Sequence, residues 1–163
     1  MKVLLFTILF GAVFGLDTQA QNIDQCYDKA LKPIDCNAHP AQGTLEIYNA
    51  KGILVKMADY ENNLLHGQVK TFHENKVPAI LADYKNGQLH GNYISLSDNG
   101  RMITSCIYES DKKTGVEYHY YANGNIRQST TYKNGIKHGD EVFYDENGNI
   151  KNTIKYHNNK VIN

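Results

Sequence analysis

The sequence predicts an all-β protein, an elongated antiparallel meander of repeated β-hairpins with a short helical cap at the N-terminus. The main observation is a glycine that recurs every 24 residues, followed 17 positions later each time by a tyrosine. The glycines are Gly43, Gly67, Gly91, Gly115 and Gly139, and the tyrosines are Tyr60, Tyr84, Tyr108, Tyr132 and Tyr156. Five matches at one spacing indicate five structural units of 24 residues.

Turn residues divide each unit into two strands. Counting the glycine as position 0, the first strand is expected at about positions 1 to 6 and the second at about 10 to 17. Asn-Gly pairs separate them, because Asn and Gly tolerate the positive φ that both central residues of a two-residue hairpin require. The pairs are Asn99-Gly100, Asn123-Gly124 and Asn147-Gly148 at one end, and Asn86-Gly87 and Asn134-Gly135 at the other. Five units with two strands each therefore predict about ten antiparallel strands.

Alternation along the strands predicts the two faces of the sheet. The main core face is expected to carry positions 11, 15 and 17 of the second strand together with position 5 of the first. Position 5 holds Tyr48, Phe72, Leu96, Tyr120 and Tyr144, and position 11 holds Leu54, Met102, Ile126 and Ile150. Side-chain ladders of this kind fix the strand register.

The opposite face is predicted to change character along the chain. In units one to three it is apolar, with Leu45, Ile47, Val55, Met57, Val69, Leu81, Tyr93, Ile103 and Ile107. Such a patch needs a cover, either residues 21–42 or a partner surface. In units four and five the face is polar, and its candidate interaction residues are Glu117, His119, Arg127, Glu141, Lys151 and Lys155. The alternative is a simply solvated face.

The N-terminus resembles an export signal. Lys2 precedes an apolar stretch, Val3 to Leu16, and small residues follow at Thr18-Gln19-Ala20. Residues 1–20 are therefore predicted to be a cleaved signal peptide, with an uncleaved anchor as the alternative. The mature chain, without a transmembrane helix, is expected to be secreted or periplasmic. Lysine plus arginine equals aspartate plus glutamate at 17 each, which argues against a nucleic-acid partner.

Residues 21–42 do not fit the repeat and are expected to cap it. Asp24 is predicted to begin a short helix that carries Tyr27 and Leu31 and ends at Pro33. In an oxidising compartment Cys26 and Cys36 are expected to form a disulfide across a short loop. Cys106 lies at position 15 of unit three, where a small core-facing thiol is expected.

The sequence contains no recognisable enzyme signature. There is no Gly-x-Ser-x-Gly elbow and no phosphate-binding glycine loop between a strand and a helix. His66, His90 and His138 each precede a unit glycine, but their spacing places the third too far away for a zinc site. Hydrogen bonds at the turns are the expected role of these histidines. No metal or cofactor is predicted.

Residues 43–163 resemble the variant MORN repeat of bacterial proteins, a family often labelled putative antitoxin. The matching residues are Gly115, Tyr120, Asn123, Gly124, Ile126, Tyr132, Asn134, Gly135 and Gly139. The resemblance implies a stack of β-hairpins used for protein or membrane contact. An exported chain fits an envelope immunity protein better than a cytoplasmic antitoxin.

These observations favour an exported, non-enzymatic interaction or scaffold module with an unidentified protein partner. The alternative is a module that binds lipid or glycan at the envelope surface.

Overall fold

The computed structural model describes residues 25–162 as one open antiparallel sheet of 13 strands, without a helix among those residues. The strands are β1 (Cys26–Tyr27), β2 (Pro33–Ile34), β3 (Gln42–Tyr48), β4 (Leu54–Glu61), β5 (Leu64–Phe72), β6 (Pro78–Lys85), β7 (Gln88–Leu96), β8 (Met102–Glu109), β9 (Lys112–Tyr120), β10 (Ile126–Lys133), β11 (Ile136–Tyr144), β12 (Ile150–His157) and β13 (Lys160–Ile162). Strands β3 to β13 are neighbours in chain order, and β1 and β2 complete the edge beside β3. The all-β meander is confirmed.

The unit glycines lie inside strands rather than at their starts. Strand β5 begins three residues before Gly67, which has φ +102°. Ala58 pairs with Val69 and Tyr60 with Leu65, so β5 fits two more residues into this interval than β4 does. Glycine accommodates such a bulge because it adopts positive φ without a Cβ clash. The predicted start of the first strand was therefore too late in units two to five.

The turns after the second strands are the predicted two-residue hairpins. Both central residues have positive φ in all five units, even where glycine is absent, as at Ser110 and Asp111. The N–H of the second turn residue also donates to a backbone carbonyl of the preceding hairpin, as from Gly135 to Lys113 at 2.8 Å. These bonds join successive units at one end of the sheet.

The turns after the first strands differ from the prediction. The Gly100 N–H donates to the Ser97 carbonyl at 2.8 Å, and Gly100 has φ +80° whereas Asn99 does not have positive φ. The same holds at Asn123-Gly124 and Asn147-Gly148. Each Asn-Gly pair therefore forms the last two residues of a four-residue turn, and its glycine is the bulge residue. It is not the centre of a two-residue turn.

The predicted division of the faces is wrong in part. Position 2 pairs with position 15, as in Leu45 with Ala58, so even positions of the first strand share a face with odd positions of the second. A bulge near position 12 then reverses the alternation, and Tyr48 pairs with Leu54 on the other side. We call the side with positions 2, 4, 13, 15 and 17 the tyrosine face, and the side with positions 3, 5, 11, 14 and 16 the reverse face.

This register divides the predicted apolar patch between the two sides. Leu45, Ile47, Val69 and Tyr93 lie on the tyrosine face, whereas Met57, Leu81 and Ile107 lie on the reverse face. The predicted faces were partly wrong because strict alternation along a strand ignores the bulges. Each bulge shifts every later side chain of that strand to the other face.

The N-terminal segment is a strand pair rather than a helix. Strands β1 and β2 pair antiparallel, and the Asp28 carboxylate accepts the N–H groups of Ala30 and Lys32, each at 2.9 Å. This side-chain turn competes with helix formation, and Leu31 has φ +59°. The predicted helical cap is therefore wrong for residues 25–34, and Asp24 lies outside the described residues.

A disulfide joins Cys26 and Cys36, whose Cα atoms are 5.2 Å apart. Cys26 is buried against Ile47 and Val55, with Ile34 packed beside them. The segment thus covers the first unit on the tyrosine face. The predicted signal peptide, residues 1–20, lies outside the described residues. Within residues 25–162 no helix is long and apolar enough to cross a bilayer.

Candidate functional site

One row of neighbouring residues crosses the tyrosine face and changes from apolar to charged. It runs Leu45, Ala58, Val69, Ala82, Tyr93, Cys106, Glu117, Thr130, Glu141 and Ile154. Successive members pair across the strands except Cys106 and Glu117, which meet at the register shift between β8 and β9. Glu117 and Glu141 are only 6% and 4% exposed. Two carboxylates therefore occupy positions where units one to three have apolar side chains.

Glu141 has a complete set of hydrogen-bond donors. Its Oε1 accepts from Lys137 Nζ at 2.5 Å and from Gln128 Nε2 at 2.8 Å, and its Oε2 accepts from the Tyr156 hydroxyl at 3.0 Å. Thr130, itself 1% exposed, donates to Oε1 at 3.2 Å. The Lys137 ammonium also lies 4.8 Å from the centre of the Tyr156 ring. Burial of this charge is compensated by these partners.

Glu117 repeats the arrangement one unit earlier. Lys113 forms a short ion pair with its Oε1, and His119 Nε2 lies 3.6 Å from its Oε2. The Lys113 ammonium lies 5.2 Å from the centre of the Tyr132 ring. We call Lys113, Glu117, Tyr132, Lys137, Glu141 and Tyr156 the charged layer.

The charged layer replaces an apolar one at identical unit positions. Lys137 and Glu141 correspond to Leu65 and Val69, which pack with Tyr60 and Ala58 in a small apolar core. Both versions fill the space between successive tyrosines, one by dispersion contacts and the other by paired charges.

The charges in this layer hold the carboxylates ionised. Burial alone would raise the pKa of Glu117, but hydrogen bonds from His119 and Lys113 outweigh it and lower the pKa to about 2. The pKa of Glu141 is also lowered, since Lys137 and Tyr156 outweigh its desolvation. Burial, followed by the charge of Glu117, raises the pKa of the Tyr132 hydroxyl.

Stability is expected to fall in acid because of these carboxylates. A group whose pKa is lower in the folded state stabilises the fold above its unfolded pKa and loses that contribution as pH falls. For Glu117 the loss should develop from about pH 4.5 down to about pH 2. Unfolding midpoints in urea between pH 6 and pH 2 should decline less steeply in Glu117→Gln than in the exposed-site control Glu109→Gln. Parallel declines in the two variants would contradict the ionised, paired state of Glu117.

Cys106 lies in the same row and is 6% exposed. Burial raises the pKa of its thiol to about 11, which disfavours the reactive thiolate. The side chain behaves as a small apolar residue in the core, as the sequence predicts.

The predicted interaction residues do not form one exposed surface. Glu117 and Glu141 are buried, and His119 is half-buried with its Nδ1 3.1 Å from the Thr104 hydroxyl. Exposed members of the set are Arg127, Lys151 and Lys155. The sequence analysis placed Glu117 and Glu141 on an exposed face and missed their burial. Their lysine partners, four residues earlier, precede the unit glycine and lie outside the expected first strand.

The reverse face carries a row of half-buried, mainly aromatic side chains at position 5, beside aliphatic side chains at position 11. We call this row the aromatic row. The Tyr120 and Tyr118 rings lie 6.4 Å apart, and the Tyr120 hydroxyl is 2.9 Å from the Ser105 hydroxyl. A shallow open cavity of 450 Å³ lies between the last two units, lined by Tyr120, Gly124, Asn125, Ile126, Tyr144, Asn147 and Gly148. Nearby apolar side chains are exposed, including Ile150 at 65% and Met102 at 43%.

Two of the three histidines that precede a unit glycine, His66 and His138, take part in side-chain hydrogen bonds as predicted. His66 Nδ1 lies 3.3 Å from the Asn86 amide oxygen, and His138 Nδ1 lies 3.2 Å from that of Asn158. No cluster of three or more His, Cys, Asp or Glu side chains suited to a metal ion occurs among residues 25–162.

The comparison with protein families identifies the repeat. The family described as MORN repeat variant matches residues 65–86, 113–134 and 137–158. Each match runs from the end of one two-residue hairpin turn to the next, and so contains one unit glycine and one unit tyrosine. A comparison with curated protein sequences gave no match. The chain is a MORN-repeat protein built from stacked, antiparallel β-hairpins.

Proposed function

We propose that this chain is an exported, non-enzymatic interaction module that binds a protein partner through the aromatic row of units four and five. The observation that carries the proposal is the open cavity between Tyr120 and Tyr144, beside which Ile150, the residue paired with Tyr144, is 65% exposed. Tyrosine is favoured at protein interfaces because it provides a large apolar ring and a hydroxyl for hydrogen bonding.

The buried charged groups of the sheet suit a structural role better than catalysis. A general acid or base works best with a pKa near the operating pH, whereas the pKa of Glu117 is about 2. Its Oε1 accepts a hydrogen bond from Lys113, and His119 Nε2 lies 3.6 Å from its Oε2, so both neighbours belong to the sheet itself. Their arrangement suits a structural role.

Export is supported by the signal-like N-terminal sequence together with the Cys26–Cys36 disulfide, because disulfides persist in oxidising compartments. Lipid binding is less favoured at the aromatic row, because the residues that line the cavity include no cationic side chain to bind an anionic head group.

Site-specific crosslinking in the native envelope tests this function. A photoreactive residue in place of Ile126 is expected to capture a protein partner, and Tyr120→Ala with Tyr144→Ala should remove that product. Phe72→Ala, the same aromatic position in unit two, is the matched control and should retain it. The absence of any protein adduct, or an equal loss in the control, would contradict the proposal. Binding to anionic vesicles that weakens with salt would favour the lipid alternative instead.

A further inference from the structure

A second, smaller cavity lies one repeat unit before the cavity between Tyr120 and Tyr144. Its volume is 230 Å³, and Met102 and Tyr120 contribute to its lining. The larger cavity has Ile126 and Tyr144 at the same unit positions, 11 and 5, and Tyr120 borders both cavities. Equivalent positions of successive units are two strands apart, which is about 9.6 Å. The aromatic row therefore presents two neighbouring grooves at that spacing.

Pairs of hydroxyl groups repeat at the same spacing. The Tyr120 hydroxyl lies 2.9 Å from the Ser105 hydroxyl, and the Tyr144 hydroxyl lies 3.4 Å from the Ser129 hydroxyl. One O–H of each pair serves the bond between the two side chains, and the second O–H can donate to a ligand. The corresponding pairs of the preceding units have no hydroxyl; they are Met57 with Phe72 and Leu81 with Leu96. The donors are thus specific to the grooves at Tyr120 and Tyr144.

The groove spacing distinguishes among the conformations of a bound peptide. A ligand on this face lies across strands whose backbone groups pair with one another within the sheet. Side chains on one side of an extended strand repeat about every 6.7 Å, and those on one side of an α-helix repeat about every 10.5 Å over two turns. A polyproline II helix repeats every three residues, or about 9.3 Å. Its repeat matches the spacing of the grooves best.

The charges of the nearby turns are acidic at the unit-five end. The turn of residues 145–149 borders the larger cavity and contains Asp145 and the exposed Glu146, without a basic residue. The turn of residues 121–125 has no charged residue, and the turn of residues 97–101, beside the smaller cavity, has one charge of each sign. A basic side chain on a ligand would therefore be complementary to the unit-five end.

We propose that the aromatic row binds a proline-rich segment of a partner protein in the polyproline II conformation. One proline would occupy each groove, and a basic residue would follow beyond Tyr144. The proposal rests on the function proposed above and names the chemistry of its partner. Carbonyl groups of a polyproline II helix have no partner within that helix, so they can accept from the hydroxyls of Tyr120 and Tyr144. The conformation is preformed, which lowers the entropic cost of binding.

An NMR titration of the isotope-labelled full chain with a synthetic peptide tests the proposal. The peptide acetyl-Ala-Pro-Ala-Ala-Pro-Ala-Ala-Arg-amide has two prolines three residues apart, followed by arginine. We expect saturable shifts of the backbone amides of Gly124 and Gly148, which line the larger cavity. The isomer acetyl-Ala-Pro-Ala-Pro-Ala-Ala-Ala-Arg-amide should bind about tenfold more weakly, because its prolines cannot occupy both grooves at once. Absent saturation, or equal affinities of the two peptides, would overturn the proposal.

Variants of the tyrosines test the hydroxyl donors. Tyr120→Phe with Tyr144→Phe keeps both rings and should weaken binding of the peptide by about tenfold, because the two donors are lost. Phe72→Ala in unit two is the control and should bind like the parent. Unchanged binding in the double variant, or a loss of the same size in Phe72→Ala, would contradict the proposal.

Glu146→Gln tests the charge complementarity. It should weaken binding of the arginine peptide by about threefold, since the contact is exposed to solvent. The same peptide with glutamine in place of arginine should bind the parent and Glu146→Gln equally. Equal losses for the two peptides would contradict the placement of the basic residue beside this turn.

The proposal and the function on which it rests can fail separately. Capture of a protein from Ile126 together with absent binding of the proline peptide would support the interaction module and overturn recognition of polyproline II. Saturable peptide binding without any protein adduct at Ile126 would support the recognition mode and contradict the proposed function in the envelope.

Discussion

Replacing Lys137 with methionine is expected to destabilise the protein by about 3 kcal/mol. The change removes the cation that donates to Glu141 Oε1 at 2.5 Å and leaves a carboxylate of 4% exposure without its counter-charge. Methionine is similar in length to lysine and still covers the Tyr156 ring. The decrease in the free energy of unfolding therefore measures mainly the lost charge and not lost packing. The shift of the urea unfolding midpoint measures the effect.

The double replacement Lys137→Leu with Glu141→Val is expected to recover most of this loss, to within about 1 kcal/mol of the parent. It recreates the side chains that units one and two use at Leu65 and Val69. A buried ion pair is replaced by apolar groups at little net cost, whereas a single buried charge is expensive. Greater destabilisation in the double variant than in Lys137→Met would contradict the equivalence of the two layers.

An exposed ion pair supplies the control for this series. Lys51 lies 3.6 Å from Glu74, and both side chains are more than half exposed, at 71% and 61%. Lys51→Met should therefore change the free energy of unfolding by less than about 0.5 kcal/mol.

Replacing Gly91 with alanine is expected to destabilise the protein by about 3 kcal/mol. Gly91 has φ +116°, and an added Cβ would lie 2.9 Å from the Asp83 Cβ and 2.8 Å from its Oδ2. That carboxylate oxygen accepts the Asn92 N–H at 2.9 Å, so it cannot move aside without breaking the bond that closes the bulge. Thermal unfolding with circular dichroism at strand wavelengths measures the loss.

Gly43→Ala is the matched control for the steric part of this effect. Gly43 occupies the same unit position with φ +102°, but an added Cβ there would meet nothing within 4 Å. Its cost should be limited to backbone strain, about 1 kcal/mol. Equal losses in the two variants would mean that the Asp83 contact contributes nothing.

The repeat could be predicted from the sequence because the glycine and the tyrosine have the same structural role from unit to unit. The glycine permits a bulge at positive φ, and the tyrosine packs against its neighbours on one face. A regular spacing of both therefore predicts the hairpins directly. The second turns were also predictable, since Asn, Asp and Gly all tolerate the left-handed conformation.

The faces were less predictable because two bulges per hairpin interrupt the alternation. Tyr93 lies at position 2 of its unit, an even position, and Tyr108 lies at position 17, an odd one. Their rings are nevertheless 5.9 Å apart on the same face of the sheet. The charged layer depends on this register, since Lys137 reaches Glu141 across the bulge at Gly139. The N-terminal strand pair was also missed, because local turn bonds to the Asp28 carboxylate outweigh the weak helical pattern.

The shared face of unit positions 2 and 17 is the central claim, because both the apolar core and the charged layer follow from it. Nuclear Overhauser effects between aromatic protons of selectively labelled tyrosines test it most directly. The structure predicts a cross-peak between Tyr93 and Tyr108, whose ring centres are 5.9 Å apart. The absence of this cross-peak in a well-folded sample would place the two rings on opposite faces and contradict the register.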